Sequence, residues 1–222
     1  MIHFSLKNRP AVTMIELVFV IIVLGILASM ALPRLNADKT QEAADNILSD
    51  IRYTQHLALM DDKHNYHDPK WQKSFWRIGF ESCASTTGMF EYIGTDMNYA
   101  GDINNDEAAT DPANNKKMNW VNTATCSIGG DSSTSDRIFI THKYGITSVV
   151  WSENCRTAQY IGFDHLGRTH QGFAGIAGDT PNYSTYLTSL CTITFNMSNG
   201  DNFAINIEPE TGYAYINTQN DS

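Results

Sequence analysis

The stretch Ala11-Val12-Thr13-Met14-Ile15-Glu16, followed by LVFVIIVLGILASMAL over residues 17–32 and closed by Pro33, decides how the chain is read. Sixteen consecutive residues after Glu16 carry no charge. As a helix, residues 12–32 span about 31 Å at 1.5 Å per residue, the thickness of a bilayer's hydrocarbon core. A secretory signal peptide has a shorter apolar stretch and a small-residue cleavage site. Here the run follows a carboxylate directly and ends in Leu32-Pro33 with no Ala-x-Ala site. Lys7 and Arg9 precede it, whereas residues 34–50 hold two bases and four acids. The positive-inside rule therefore keeps the first residues in the cytoplasm and exports the remainder.

Glu16 is the residue out of place. A carboxylate costs on the order of 3 kcal/mol at the bilayer centre, less towards its edge, so such a group is normally paired or functional. One helix offers no partner, which directs attention to another subunit; a newly freed amino terminus at the same depth supplies the matching charge. The alternative is a Glu16 at the interface with no role. Pro33 removes a helical hydrogen bond and clashes with the preceding turn, and Gly25 lowers helix propensity. Together they give either a curved, locally meltable helix or one that ends at Leu32, with a second beginning near Asp38.

Residues 11–17 and the apolar run with Gly25 and Pro33 resemble the amino-terminal signature of type IV pilins and type II secretion pseudopilins. In that family a prepilin peptidase cuts five residues before the glutamate and methylates the new amino terminus. The resemblance places cleavage between Ala11 and Val12, makes Val12 the N-methylated residue, and pairs Glu16 with a neighbouring subunit during assembly. Ala11 stands where the family usually has Gly, and Val12 where it usually has Phe or Met. The implied partners are other pilin or pseudopilin subunits, the prepilin peptidase and an inner-membrane assembly platform. The implied location is a single pass through a bacterial inner membrane with the head in the periplasm, then the filament or cell surface.

Beyond Pro33, Ala44, Ile47, Leu48, Ile51, Ala58 and Leu59 recur at three- and four-residue spacing, which predicts an amphipathic helix to about Met60. Strand-like segments follow at 74–81, 136–141, 147–152, 158–163, 191–196 and 202–207, with 213–216 closing the chain, separated by Gly and Asn clusters. The expected fold is α+β and pilin-like: a long amino-terminal helix, half membrane and half amphipathic, packed on an antiparallel sheet. The divisions are a leader over 1–11, a polymerisation helix over 12–33, its amphipathic continuation over 34–60 and a β-rich head over 61–222. Residues 43–59 and the segments IGFDHLGRTHQG, ITFNMSNG and FAINIEPETGYAYI also resemble the GspH/FimT-like minor pseudopilins. Some of those end in a Gly-Arg-x-Arg that binds DNA; the matching residues here are Gly212-Tyr213-Ala214-Tyr215, so DNA capture does not carry over.

The formal charge is −9, and without Lys7 and Arg9 the remaining 13 bases against 24 acids give −11. Such a head is a poor binder of phosphate backbones, and nucleic acid is not an expected partner. Cys83, Cys126, Cys155 and Cys191 contain no CxxC pair; an even count in an exported domain favours two disulfides, with three pairings open and neighbour pairing the simplest. Asp102, Asn104 and Asp106 alternate as in the first half of a calcium loop, but no Glu stands at the twelfth position. They are candidate calcium ligands, the alternative being a solvated polar loop with no cofactor. His64, His67 and Asp68 fit no zinc spacing and read as a loop; His165 and His170, in a turn, read as surface residues. Trp71, Trp76, Trp120 and Trp151 are mostly core, with a carbohydrate or partner surface as the other use. No nucleophile elbow, Walker loop or dinucleotide fingerprint is present, so no enzyme is expected. The chain reads as a minor pilin or pseudopilin of a type IV pilus or type II secretion pseudopilus. The alternatives are a filament-tip adhesin or uptake subunit, and an anchored periplasmic protein whose leader is never cut.

Overall fold

A computed structural model describes residues 13–84, 87–121, 126, 129–156, 158–175 and 180–217, the side chains of residues 28–38 excepted. The chain divides into two compact units, Met1–Lys39 and Thr40–Ser222. Helix α1 (Met14–Met60) belongs to both and runs unbroken for 47 residues. The helix therefore continues through Pro33 rather than ending at Leu32, and it stops at the residue where the amphipathic pattern stops. In the first unit every described side chain from Thr13 to Leu27 is exposed. Among the described residues no helix is long and apolar enough to cross a membrane. The expected span takes in Val12 and the side chains of residues 28–33, which lie outside the described residues.

In the second unit the periodic face of α1 is the core: Ala43, Ala44, Ile47 and Ile51 are at most 2 % exposed. Around it lie β1 (Trp76–Ser82), β2 (Met89–Gly94), a short helix α2 (Ile140–Tyr144), β3 (Ile146–Trp151), β4 (Tyr160–Phe163), β5 (Thr169–His170), β6 (Cys191–Met197), β7 (Asn202–Ile207) and β8 (Ala214–Asn217). The class is α+β, and every strand pair within its sheets is antiparallel. The single expected sheet is two, ordered β2-β1-β4-β5 and β3-β6-β7-β8. Strand β6 shows the alternation a half-buried strand must show, with Cys191, Ile193, Phe195 and Met197 inside.

Polar side chains of α1 hold both sheets' connections. Arg52 donates to Ala214 O on the edge strand β8, Nη2 at 2.9 Å, and Tyr53 Oη donates to Thr110 O at 2.8 Å. Gln55 Nε2 donates to Gly167 O at 2.9 Å and Thr211 O at 2.7 Å, joining two turns. Asp50, 1 % exposed, is ion-paired with Arg137, whose Nε lies 3.7 Å from the fully buried Asp111. Disulfides link Cys83 to Cys126 and Cys155 to Cys191, with Cα–Cα separations of 5.7 and 5.5 Å.

Three expectations are corrected. Residues 136–141 are not a strand: a 3-10 turn (Asp136–Ile138) leads into α2, and Ile138, Phe139 and Ile140 are all fully buried. Gly145, at φ 85°, closes α2 by donating its N–H to Thr141 O. Strand β2, absent from the sequence reading, is buried at all six positions, so it carries no period-two signal. Although it ends its sheet, Ile93 N donates to Met118 O and Ala109 N to Ile93 O, so an irregular segment covers that edge. His170 is a buried residue, 1 % exposed, not a surface one.

Candidate functional site

Glu16 sits in the first turn of α1, where Thr13 Oγ1 accepts from its N–H at 3.3 Å and Thr13 O accepts from Leu17 N at 3.1 Å. Thr13 thus caps the helix, and a carboxylate in a first turn also suits the positive end of the helix dipole. Around it, Met14, Ile15, Leu17, Phe19, Ile21, Ile22, Leu24, Ile26 and Leu27 are each more than half exposed. Gly25 has nothing within 4 Å of the position its Cβ would take. Ala11 and Val12, and the side chain of Pro33, lie outside the described residues.

In the head, a cleft of about 420 Å³ is bordered by Glu81, Tyr92, Asn98, Ala100, Asp102, Ile103, Asn104, Asn119, Trp120 and Val121. One wall is the segment 96–107, and its shape comes from two buried carboxylates. Asp96 accepts from Ala100 N at 3.0 Å through Oδ1 and from Gly101 N at 2.7 Å through Oδ2. Glu107 accepts from Met97 N and Asn98 N at 3.0 and 3.1 Å through Oε1, and from Asn104 N at 3.1 Å through Oε2. Arg77 on β1 fastens the same loop from beneath, donating from Nη2 to Gly101 O at 2.5 Å while its guanidinium lies 4.9 Å from the Tyr160 ring centroid. A loop held by so many charge-assisted bonds is pre-organised.

The amides of the wall are oriented by the backbone. Asn98 Oδ1 accepts from Ala100 N at 2.8 Å; Asn104 Oδ1 accepts from Asp106 N at 2.8 Å and Glu107 N at 3.2 Å. Of the three expected calcium ligands, Asn104 therefore has its side-chain oxygen turned onto its own loop, while the Asp102 side chain is exposed. Among the described residues no group of three or more His, Cys, Asp or Glu is placed to hold a metal ion. Asn119, buried, donates from Nδ2 to Ile103 O at 2.7 Å. Trp120 is set edge-on to Phe139 with centroids 5.6 Å apart. Partial burial and the charge of Asp102 hold the Glu81 carboxyl above its usual range, against the opposing pull of Arg77.

His170 is the centre of a second polar cluster. Its Nδ1 lies 2.9 Å from Thr185 Oγ1, its Nε2 3.5 Å from Asp164, and its ring centroid 4.0 Å from that of Tyr186. Burial pushes its pKa down, against the pull of Asp164. The Thr185 hydroxyl is spent on Asn182 O at 3.0 Å and Gln72 Nε2 also donates to it, so the cluster ties β5 to its neighbours. His64, His67 and Asp68 lie in the loop after α1, as read, with His64 stacked edge-on to Trp71 at 4.8 Å.

Sequence reasoning singled out Asp102 and Asn104 but not Glu81, Asn98, Asn119 or Trp120 as one site. The Asn- and Asp-rich run marked the loop; nothing in spacing shows that its oxygens bind its own backbone. No family model, curated protein or solved structure matches the chain.

Proposed function

We propose that the chain is a subunit of a membrane-assembled filament, a minor pilin or pseudopilin of the type IV pilus or type II secretion class. The observation that carries this reading is the first half of α1. From Met14 to Leu27 it is a helix whose exposed side chains are apolar except for one carboxylate and one glycine, and the same helix becomes the core helix of an α+β head. An exposed apolar stripe of this length needs lipid or protein around it, because exposed apolar patches mark membrane or partner surfaces. Polymerisation supplies both in turn: lipid before assembly, neighbouring subunits after it. Glu16 is then the register device, paired with the amino terminus of the adjacent subunit once residues 1–11 are removed. Two disulfides suit a head exported to an oxidising compartment.

The test is a pulldown of filament components from native membranes with the wild-type chain and with Glu16→Ala. The expected result is co-purification with other subunits that the substitution abolishes while the head stays folded. A chain that recovers no filament subunit, or that does so equally with Glu16→Ala, overturns the reading.

A further inference from the structure

The head cleft is pre-formed, lies wholly in the second unit and has no part in the filament chemistry of Glu16. Its volume, about 420 Å³, falls in the ~300–1,000 Å³ range of small-molecule sites. The hydrogen-bonding groups it offers select the ligand. Asn98 and Asn104 have their oxygens committed to backbone N–H groups, and their NH2 groups have no partner among the described residues. Asn119 has the opposite arrangement: its NH2 is spent on Ile103 O, and its oxygen has no donor among the described residues. The exposed carboxylates of Glu81 and Asp102 likewise receive no hydrogen bond there. The cleft therefore mixes two amide donors with an amide acceptor and two carboxylate acceptors. Tyr92, Ile103, Trp120 and Val121 supply apolar surface beside them.

A bare cation has no use for the amide N–H donors of Asn98 and Asn104, and the side-chain oxygens of those two residues are already bonded to backbone N–H groups. A phosphate or nucleic-acid backbone meets two carboxylates. A hydroxyl both donates and accepts, so vicinal hydroxyls match the alternation of donors and acceptors, and the C–H face of a sugar ring matches the aromatic and aliphatic surface. We infer that the cleft bordered by Glu81, Asn98, Asp102, Asn104, Asn119 and Trp120 is a binding site for a saccharide.

The experiment uses the full chain in a zwitterionic detergent that contains no sugar. Saturation-transfer NMR is run with glucose, galactose, mannose, N-acetylglucosamine, N-acetylgalactosamine and their disaccharides, each at millimolar concentration, followed by titration of tryptophan fluorescence for any that respond. At least one sugar is expected to bind saturably. Asp102→Asn and Trp120→Ala should each weaken it roughly ten- to hundredfold, the effect of losing a charged acceptor or a stacking surface, while Tyr213→Ala, an exposed aromatic elsewhere, leaves it unchanged. Asp102 is exposed and its carboxylate takes part in no hydrogen bond among the described residues, so Asp102→Asn reads binding even if Trp120→Ala fails to fold. No response from any of these sugars, a response that survives Asp102→Asn undiminished, or a fluorescence change produced by calcium alone overturns the inference. The result is independent of the filament reading, since neither Glu16 nor the leader contributes to the cleft.

Discussion

Glu91 is a carboxyl inside the head whose consequences can be worked through. It faces inward from β2, opposite Phe80 in the ladder, is 1 % exposed, and its Oε2 has no hydrogen-bond partner among the described residues. Burial, reinforced by the charge of Asp111, pushes its pKa from 4.5 up to about 8. In the fold Glu91 keeps its proton up to about pH 8, whereas in the unfolded chain it releases it near 4.5. Between those values the native state holds more protons than the unfolded state, so this group makes stability fall as pH rises through the window and then level off. At about 1.4 kcal/mol per pH unit the full penalty is up to about 5 kcal/mol. Glu91→Gln keeps the shape and removes the titration. It should be close to neutral near pH 5 and stabilising at pH 8, where about 2–4 °C per kcal/mol places the gain in Tm at roughly 10–20 °C. The assay is thermal unfolding of the full chain followed by near-UV circular dichroism at intervals across pH 5 to 8. Wild-type and variant curves that run parallel across the window, or a variant destabilised most at pH 8, would refute the reasoning.

Asp50→Ala leaves the half-buried Arg137 with the Asp111 carboxylate 3.7 Å from its Nε as the remaining acidic partner among the described residues, and should cost about 3–5 kcal/mol in denaturant unfolding, whereas Asp50→Leu with Arg137→Met should recover most of that loss. Gly212 sits at φ 62°, and a Cβ there would stand 2.2 Å from Gly167 O and 2.5 Å from Gln55 Nε2. Gly212→Ala should therefore lower stability by at least the ~1–2 kcal/mol of a left-handed alanine, and hydrogen exchange should show the turns at 167 and 212 opening together. Opening the Cys155–Cys191 disulfide, which closes a separation of 36 residues, should cost about 4 kcal/mol by loop entropy; a double Cys→Ser variant with an unchanged denaturant midpoint would count against the bond.

The parts of this fold legible in the sequence are those whose periodicity survives burial. Residues 44–59 repeat at helical spacing because one face of α1 is covered, and β6 and β7 alternate in part because one face of their sheet is more open. Strand β2 and residues 138–140 were misread for the same physical reason: both are buried on every side, and full burial erases the period. His170 was misplaced because a Gly-Arg turn nearby signals surface, while its burial comes from rings outside that turn, Phe75 from far along the chain together with Phe173 and Tyr186. The cleft was half legible. The run 101–107 announced oxygen-rich chemistry, but whether an amide oxygen faces outwards or caps a turn depends on Asp96 and Glu107, whose burial no spacing reveals.

The central claim, that this chain is processed and assembled through its first helix, is tested most directly by intact-mass analysis of the protein taken from its native membranes. The account predicts a polypeptide that lacks residues 1–11, begins at Val12 and carries one methyl group on its amino terminus. A chain that retains Met1 and its full leader would contradict it.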